Sequence, residues 1–166
     1  IFNSSSKPFY RFGDIKFLQK ITAEKWKTFI KAGFKRTKKQ IDGSFVDQII
    51  ADMNRHSWYV QQFSYFVWVA TQDKVTDEIF FNAKRKLVQS NSPFFTNVCE
   101  NLSPKQINLL KAVVKNEQQI TSTAVLKQYD LGTSGTATKN KNTLIEKDIL
   151  DLEDGNLTLQ DPVFEL

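Results

Sequence analysis

Apolar residues recur at helical spacing along most of this chain and switch to alternation only near its end. Thr22 suits the N-cap of a first helix, with Glu24 and Lys25 just inside it and Trp26, Phe29, Ile30 and Phe34 on the face turned to the core. Ile41, Asp42 and Gly43 interrupt the pattern. Asp42 or Ser44 then caps a second helix carrying Phe45, Ile49, Ile50 and Met53. A third begins near Ser57 and carries Tyr59, Val60, Phe63, Val67 and Ala70. Trp58, Phe66 and Trp68 make it aromatic nearly all round, so more than one of its faces is expected to be buried. Thr76, followed by Asp77 and Glu78, opens a fourth helix with Ile79, Phe80, Ala83 and Leu87 as its stripe. Asn91, Ser92 and Pro93 are expected to end it.

A second set of elements follows the short aromatic stretch of Phe94, Phe95 and Val98. Ser103 suits an N-cap and Pro104 the first helical position, ahead of Ile107, Leu110 and Val114. Thr121 or Ser122 caps a shorter helix with Ala124, Val125 and Leu126, which stops around Tyr129, Asp130, Leu131 and Gly132. Thr133 and Ser134 open a longer one running towards Leu144, Ile145 and Ile149. Leu150 and Leu152, the turn pair Asp154-Gly155, then Leu157, Leu159 and Val163 read as a hairpin. The fold class is therefore mainly α, a helical bundle followed by a winged helix-turn-helix with a C-terminal β-hairpin. The boundaries read 1–21 for an N-terminal tail, 22–91 for the helical domain, 92–101 for a linker and 102–166 for the winged helix.

Composition adds limits. Of 166 residues, 40% are hydrophobic and 25% charged, which is ordinary for a globular chain and argues against wholesale disorder. The 14 Phe and 3 Trp must lie mostly in a core. A net charge of +5 is compatible with an anionic partner but only weakly indicates one. The charge is uneven. Lys31, Lys35, Arg36, Lys38 and Lys39 crowd one stretch, whereas Glu146, Asp148, Asp151, Glu153, Asp154, Asp161 and Glu165 make the end acidic. The single Cys99 cannot form an internal disulfide, so a reducing, cytoplasmic setting is expected, with Cys99 acting as a small buried hydrophobe. No apolar stretch has membrane-spanning length and no signal peptide opens the chain. The first residue is Ile1 rather than Met, which leads us to expect a piece of something longer.

Chemistry is sparse. There is no G-x-x-x-x-G-K-[ST], and the six glycines are not clustered. One histidine, His56, and one distant cysteine offer no metal-ligand spacing, and His56 sits in no nucleophile motif. No enzyme, metal site or cofactor is expected within these residues. Two constellations remain. Asn54 to Gln61 is a polar turn between two apolar helices, readable as a junction with an exposed Arg55 and a hydrogen-bonded His56. The stretch from Thr133 to Thr143 lies where a recognition helix would, and its Ser134, Thr136, Thr138, Lys139, Lys141 and Asn142 could contact phosphates and base edges. A wing offering Glu153, Asp154 and Asp161 would repel a phosphate backbone, which disfavours DNA.

The order of several motifs resembles the C-terminal part of the archaeal-type ATPases, P-loop proteins of the signal-transduction class related to AAA+, in a Bacteroides-like bacterial form. The motifs are Pro8 to Arg11, the Trp26-to-Phe34 helix, His56 to Gln61, Leu102 to Gln106, and Asp154-Gly155 with Leu159 to Phe164. The resemblance implies a helical lid and a winged helix following a P-loop core that would precede Ile1. It also implies ATP and Mg in the parent protein and the core itself as partner. The residues alone leave two alternatives, a DNA-binding winged-helix module and a protein-interaction platform whose aromatic surface docks an unknown protein, with no membrane partner. In that family a Gly-x-Pro turn at the start of a lid helix packs on adenine. Here Arg55 stands in place of the Gly and Ser57 of the Pro, while His56, Tyr59 and Gln61 match. Arg55, His56, Ser57 and Tyr59 are thus candidates for sensing nucleotide on the core. Arg11, in the loop leaving that core, is another candidate for reaching a phosphate.

Overall fold

The computed structural model describes residues 20–117, 119–153 and 155–166. Arg11 and the residues around it, like Asp154, lie outside the described residues.

Four helices come first: α1 (Ala23–Arg36), α2 (Gly43–Asp52), α3 (Ser57–Ala70) and α4 (Asp77–Glu100). Their apolar stripes meet in one core of Trp26, Ile30, Phe34, Val46, Ile49, Val60, Phe63, Val67, Phe80 and Leu87. The Phe80 ring lies at its centre, 5.0 Å from both Phe45 and Phe63. Phe29, expected inside, is instead exposed on α1, and Ala70 is exposed at the end of α3. A two-residue bridge ties the loops at one end. Gln40 donates its N–H to the Asp73 carbonyl at 2.7 Å, and Val75 donates to the Gln40 carbonyl at 3.0 Å.

The expected stop at Asn91, Ser92 and Pro93 is not where α4 ends. The helix continues through Pro93 to Glu100, so much of the stretch read as a linker is helical. Proline removes one backbone donor from the ladder. The preceding turn is tied by side chains, with Ser90 Oγ and Asn91 Nδ2 both donating to the Leu87 carbonyl, at 2.9 and 2.8 Å. Beyond the proline, Phe95 is buried, and its packing holds the helix together. Cys99 is half-buried in this last stretch rather than enclosed.

The second unit comprises α5 (Pro104–Val114), α6 (Thr123–Gln128), α7 (Ser134–Glu146), and the strands β1 (Leu150–Glu153) and β2 (Asn156–Leu159). Ser103 and Gln106 close α5 with reciprocal bonds of 3.3 and 2.9 Å, a complete capping box. The buried face of α5 centres on Leu109, Leu110 and Val113. Ile107 and Val114, expected at its centre, lie on its half-buried edges. Between α6 and α7 the chain turns through Gly132 at φ +81°, a conformation that L side chains rarely adopt. The strands pair antiparallel, Leu150 with Leu159 and Glu153 with Asn156, around Gly155 at φ +83°. Leu150 and Leu159 are buried at the base of the hairpin, whereas Leu152 projects beyond the core, which makes the hairpin a wing. The chain is thus mainly α, with a bundle followed by a winged helix-turn-helix.

Candidate functional site

The polar turn after α2 is built by its backbone. Asn54 and Arg55 both take left-handed geometry, at φ 43° and 55°. Asn54 N–H donates to the Ala51 carbonyl at 2.9 Å and Arg55 N–H to the Ile50 carbonyl at 3.1 Å, so the last turn of α2 is fully closed. Two successive left-handed residues then reverse the chain into α3. Arg55 and Ser57 emerge exposed, and His56 is half-buried. The His56 ring lies 5.0 Å from that of Tyr59. Its Nδ1 is buried without a hydrogen-bond partner, so the expected satisfied histidine is not what the turn contains.

Tyr59 faces the other way. It is 7% exposed, and its hydroxyl donates to the Asp161 carboxylate across 102 positions of sequence. Burial, then the bond to Asp161 and its negative charge, push the hydroxyl pKa well above the usual tyrosine value. Asp161 also accepts from the Val163 N–H at 2.9 Å. The Asp161 carboxylate is thus turned towards α3 and its own turn rather than displayed at the tip of the hairpin. Of the other two acidic residues expected on the wing, Asp154 lies outside the described residues and Glu153 is placed by its backbone pairing with Asn156.

Next to this contact lies a cleft of about 570 Å³ between the two units, lined by His56, Asn97, Asn101, Asp148, Gln160 and Asp161 among others. Its floor is aromatic. Phe164 stacks on Phe95 with centroids 4.7 Å apart and planes 15° from parallel, while Val163 joins the core of the bundle at 1% exposure. Residues Asp161 to Phe164 thus fasten the winged helix to the bundle. Sequence reading placed Val163 on the hairpin and gave Phe164 no structural role. Only the Pro162 that stops the strand hinted at a separate segment.

The recognition-helix residues divide. Thr133 caps α7 by accepting from the Thr136 N–H at 3.2 Å, and the two hydroxyls lie 3.0 Å apart, so Thr136 is engaged in the cap. Ser134, Thr138, Lys139 and Asn142 are exposed. Thr138 and Lys141 line a polar cleft of about 750 Å³ with Asn116, Ser122, Asn156 and Thr158, between α7 and the wing. Lys139 does not line it. Positions two apart on a helix point about 200° away from each other, so Lys139 leaves α7 on another side from Lys141.

Among the described residues, no three His, Cys, Asp or Glu side chains could hold a metal ion together. No helix among them is long and apolar enough to cross a membrane. Helix, short helix, glycine turn, helix and wing define a winged helix-turn-helix, docked here on a four-helix bundle. Residues 93–166 match the family model described as a probable winged helix domain, a match that begins at Pro93 inside α4. No curated protein and no solved structure matches the chain.

Proposed function

We propose that this chain is the non-catalytic regulatory region of a P-loop ATPase, and that it passes the nucleotide state of an attached core to a partner through the winged helix. The observation that carries the reading is the fastening of the two units by Tyr59–Asp161 and by Val163 and Phe164 on the bundle core. A bundle so fastened takes the winged helix with it when it moves, as rigid-body switching requires. The resemblance of the Asn54–Gln61 turn to an adenine-facing lid supplies the nucleotide. ATP and Mg would be held by the core, with Arg55, exposed at that turn, and Arg11 reaching towards phosphate. The setting is cytoplasmic. Direct DNA binding by α7 is the second reading, favoured by the polar cleft at Thr138 and Lys141. It is weakened by charge, since residues 102–166 hold seven Lys and nine Asp or Glu.

The test has two parts. The purified chain with ATP and Mg should show no turnover above background, and measurable hydrolysis would overturn the non-catalytic assignment. In the full-length protein, hydrogen exchange across Asn54 to Tyr59 should differ between ATP and ADP states. Identical exchange in both would overturn the coupling. Duplex DNA binding that weakens steeply with salt and on Lys141→Ala would replace this reading with the second one.

A further inference from the structure

The groove between α1 and α3 stands apart from the sites above and does not depend on the ATPase reading. In the core, α1 packs on α2 while α3 packs on α4, which leaves an open, apolar valley of about 380 Å³ between α1 and α3. It is lined by Phe29, Gly33, Gln61, Ser64, Tyr65 and Trp68 among others. Phe29 and Tyr65 are each 57% exposed, Trp58 64% and Val69 47%. On α3, Trp58, Tyr65 and Val69 lie seven and then four residues apart, the repeat of a helix that seats another helix along a seam. The second buried face expected of α3 is therefore present as an uncovered one.

Two further features specify what covers it. Gly33 sits inside α1, where glycine costs about 0.5–1 kcal/mol relative to alanine, yet nothing lies within 4 Å of where its Cβ would be. The gap admits an incoming side chain close to the α1 backbone. The one charged residue among the described residues that line the groove is basic. Arg36 lines one end, Lys25 shares the stripe one turn before Phe29, and no Asp or Glu lines the groove. Lys39 is held above Trp68, 4.4 Å from the ring centroid, by a 2.7 Å bond to the Trp68 carbonyl. We propose that this groove docks an amphipathic helix of a partner protein, its apolar face on Phe29, Tyr65 and Trp68 and its flanking carboxylates against Arg36 and Lys25. A second copy of this chain would bring the same basic rim against itself. A nucleic-acid strand needs cations tracking its backbone, whereas among the described residues that line the valley Arg36 alone is charged and Lys39 is tied to the Trp68 carbonyl.

The experiment uses the whole chain and three probes: a synthetic amphipathic peptide of about five helical turns with Glu on its flanks, its counterpart with Lys, and an oligothymidine strand. Amide resonances and sedimentation are followed. The Glu peptide should shift Gly33, Tyr65 and Trp68 and bind at least about tenfold tighter than the Lys peptide. Arg36→Glu should remove that preference. Gly33→Leu, which fills open space with a good helix former, should weaken binding about tenfold at unchanged far-UV circular dichroism. Equal binding of the two peptides, shifts confined to other helices, tighter binding of oligothymidine, or self-association abolished by Gly33→Leu would each overturn the proposal.

Discussion

Tyr59 joins α3 to the C-terminal segment through one polar contact. Hydrogen bonds to a charged group contribute about 1.5–3 kcal/mol, so Tyr59→Phe should lower stability by an amount in that range in urea titrations at neutral pH. The pH dependence has a definite sign. The unfolded hydroxyl ionises near 10, and in the folded chain it ionises higher. Its contribution is full below that pH and is lost as the pH rises past it towards the raised folded value. The Tyr59→Phe chain should therefore lose less stability above about pH 10 than the parent does. A parallel fall in both would show that the bond does not hold the hydroxyl. Little of this was legible beforehand. Tyr59 read correctly as a buried position of α3, but a partner at Asp161 is a long-range pairing that periodicity cannot carry. Arg55 takes a φ of 55°, the left-handed geometry that glycine favours, and its residue type carries no signal of that.

The helices differ in how their two ends could be read. Four starts were visible because side chains close them, Thr76, Ser103, Ser122 and Thr133 each accepting from the backbone three residues on, whereas Thr22 and Asp42 hold the N-cap positions of α1 and α2 without a side-chain bond. Their ends were less visible, because Lys38, Asn54, Asn116, Asp130 and Asp148 take the left-handed closing position where glycine is the usual signal. Pro93 is the converse case, a stop signal overruled by packing. The turns after it carry the Phe95 ring that Phe164 covers, and that burial outweighs one missing backbone bond. An interior proline costs a helix up to about 3 kcal/mol. Pro93→Ala should accordingly raise the midpoint of thermal unfolding, with a gain of about 1–3 kcal/mol. No gain would mean that the geometry at Pro93 is itself required for the Phe95–Phe164 stack.

At the scale of the molecule, the two units were legible as units, but their attachment was not, because it rests on four residues after the last strand. Those residues contribute to both sides. Val163 belongs to the bundle core, and Phe164 packs against both cores while stacking on Phe95. Two small cores joined this way should melt as one only while the shared residues are intact, since cooperativity extends as far as the contacts that couple the parts. Removing a buried phenyl ring costs about 3–5 kcal/mol, and the half-buried Phe164 should cost less, about 2 kcal/mol. Calorimetry of the parent chain should show a single transition, and Phe164→Ala should divide it into two of smaller enthalpy. The Tyr59→Phe chain, which keeps the aromatic stack, should still melt once. If Phe164→Ala also melted in one step, the bond between Tyr59 and Asp161 would be sufficient to hold the units together. The double variant lacking both should then separate them, and a single transition surviving in it would remove the mechanical basis for coupling a moving bundle to the winged helix.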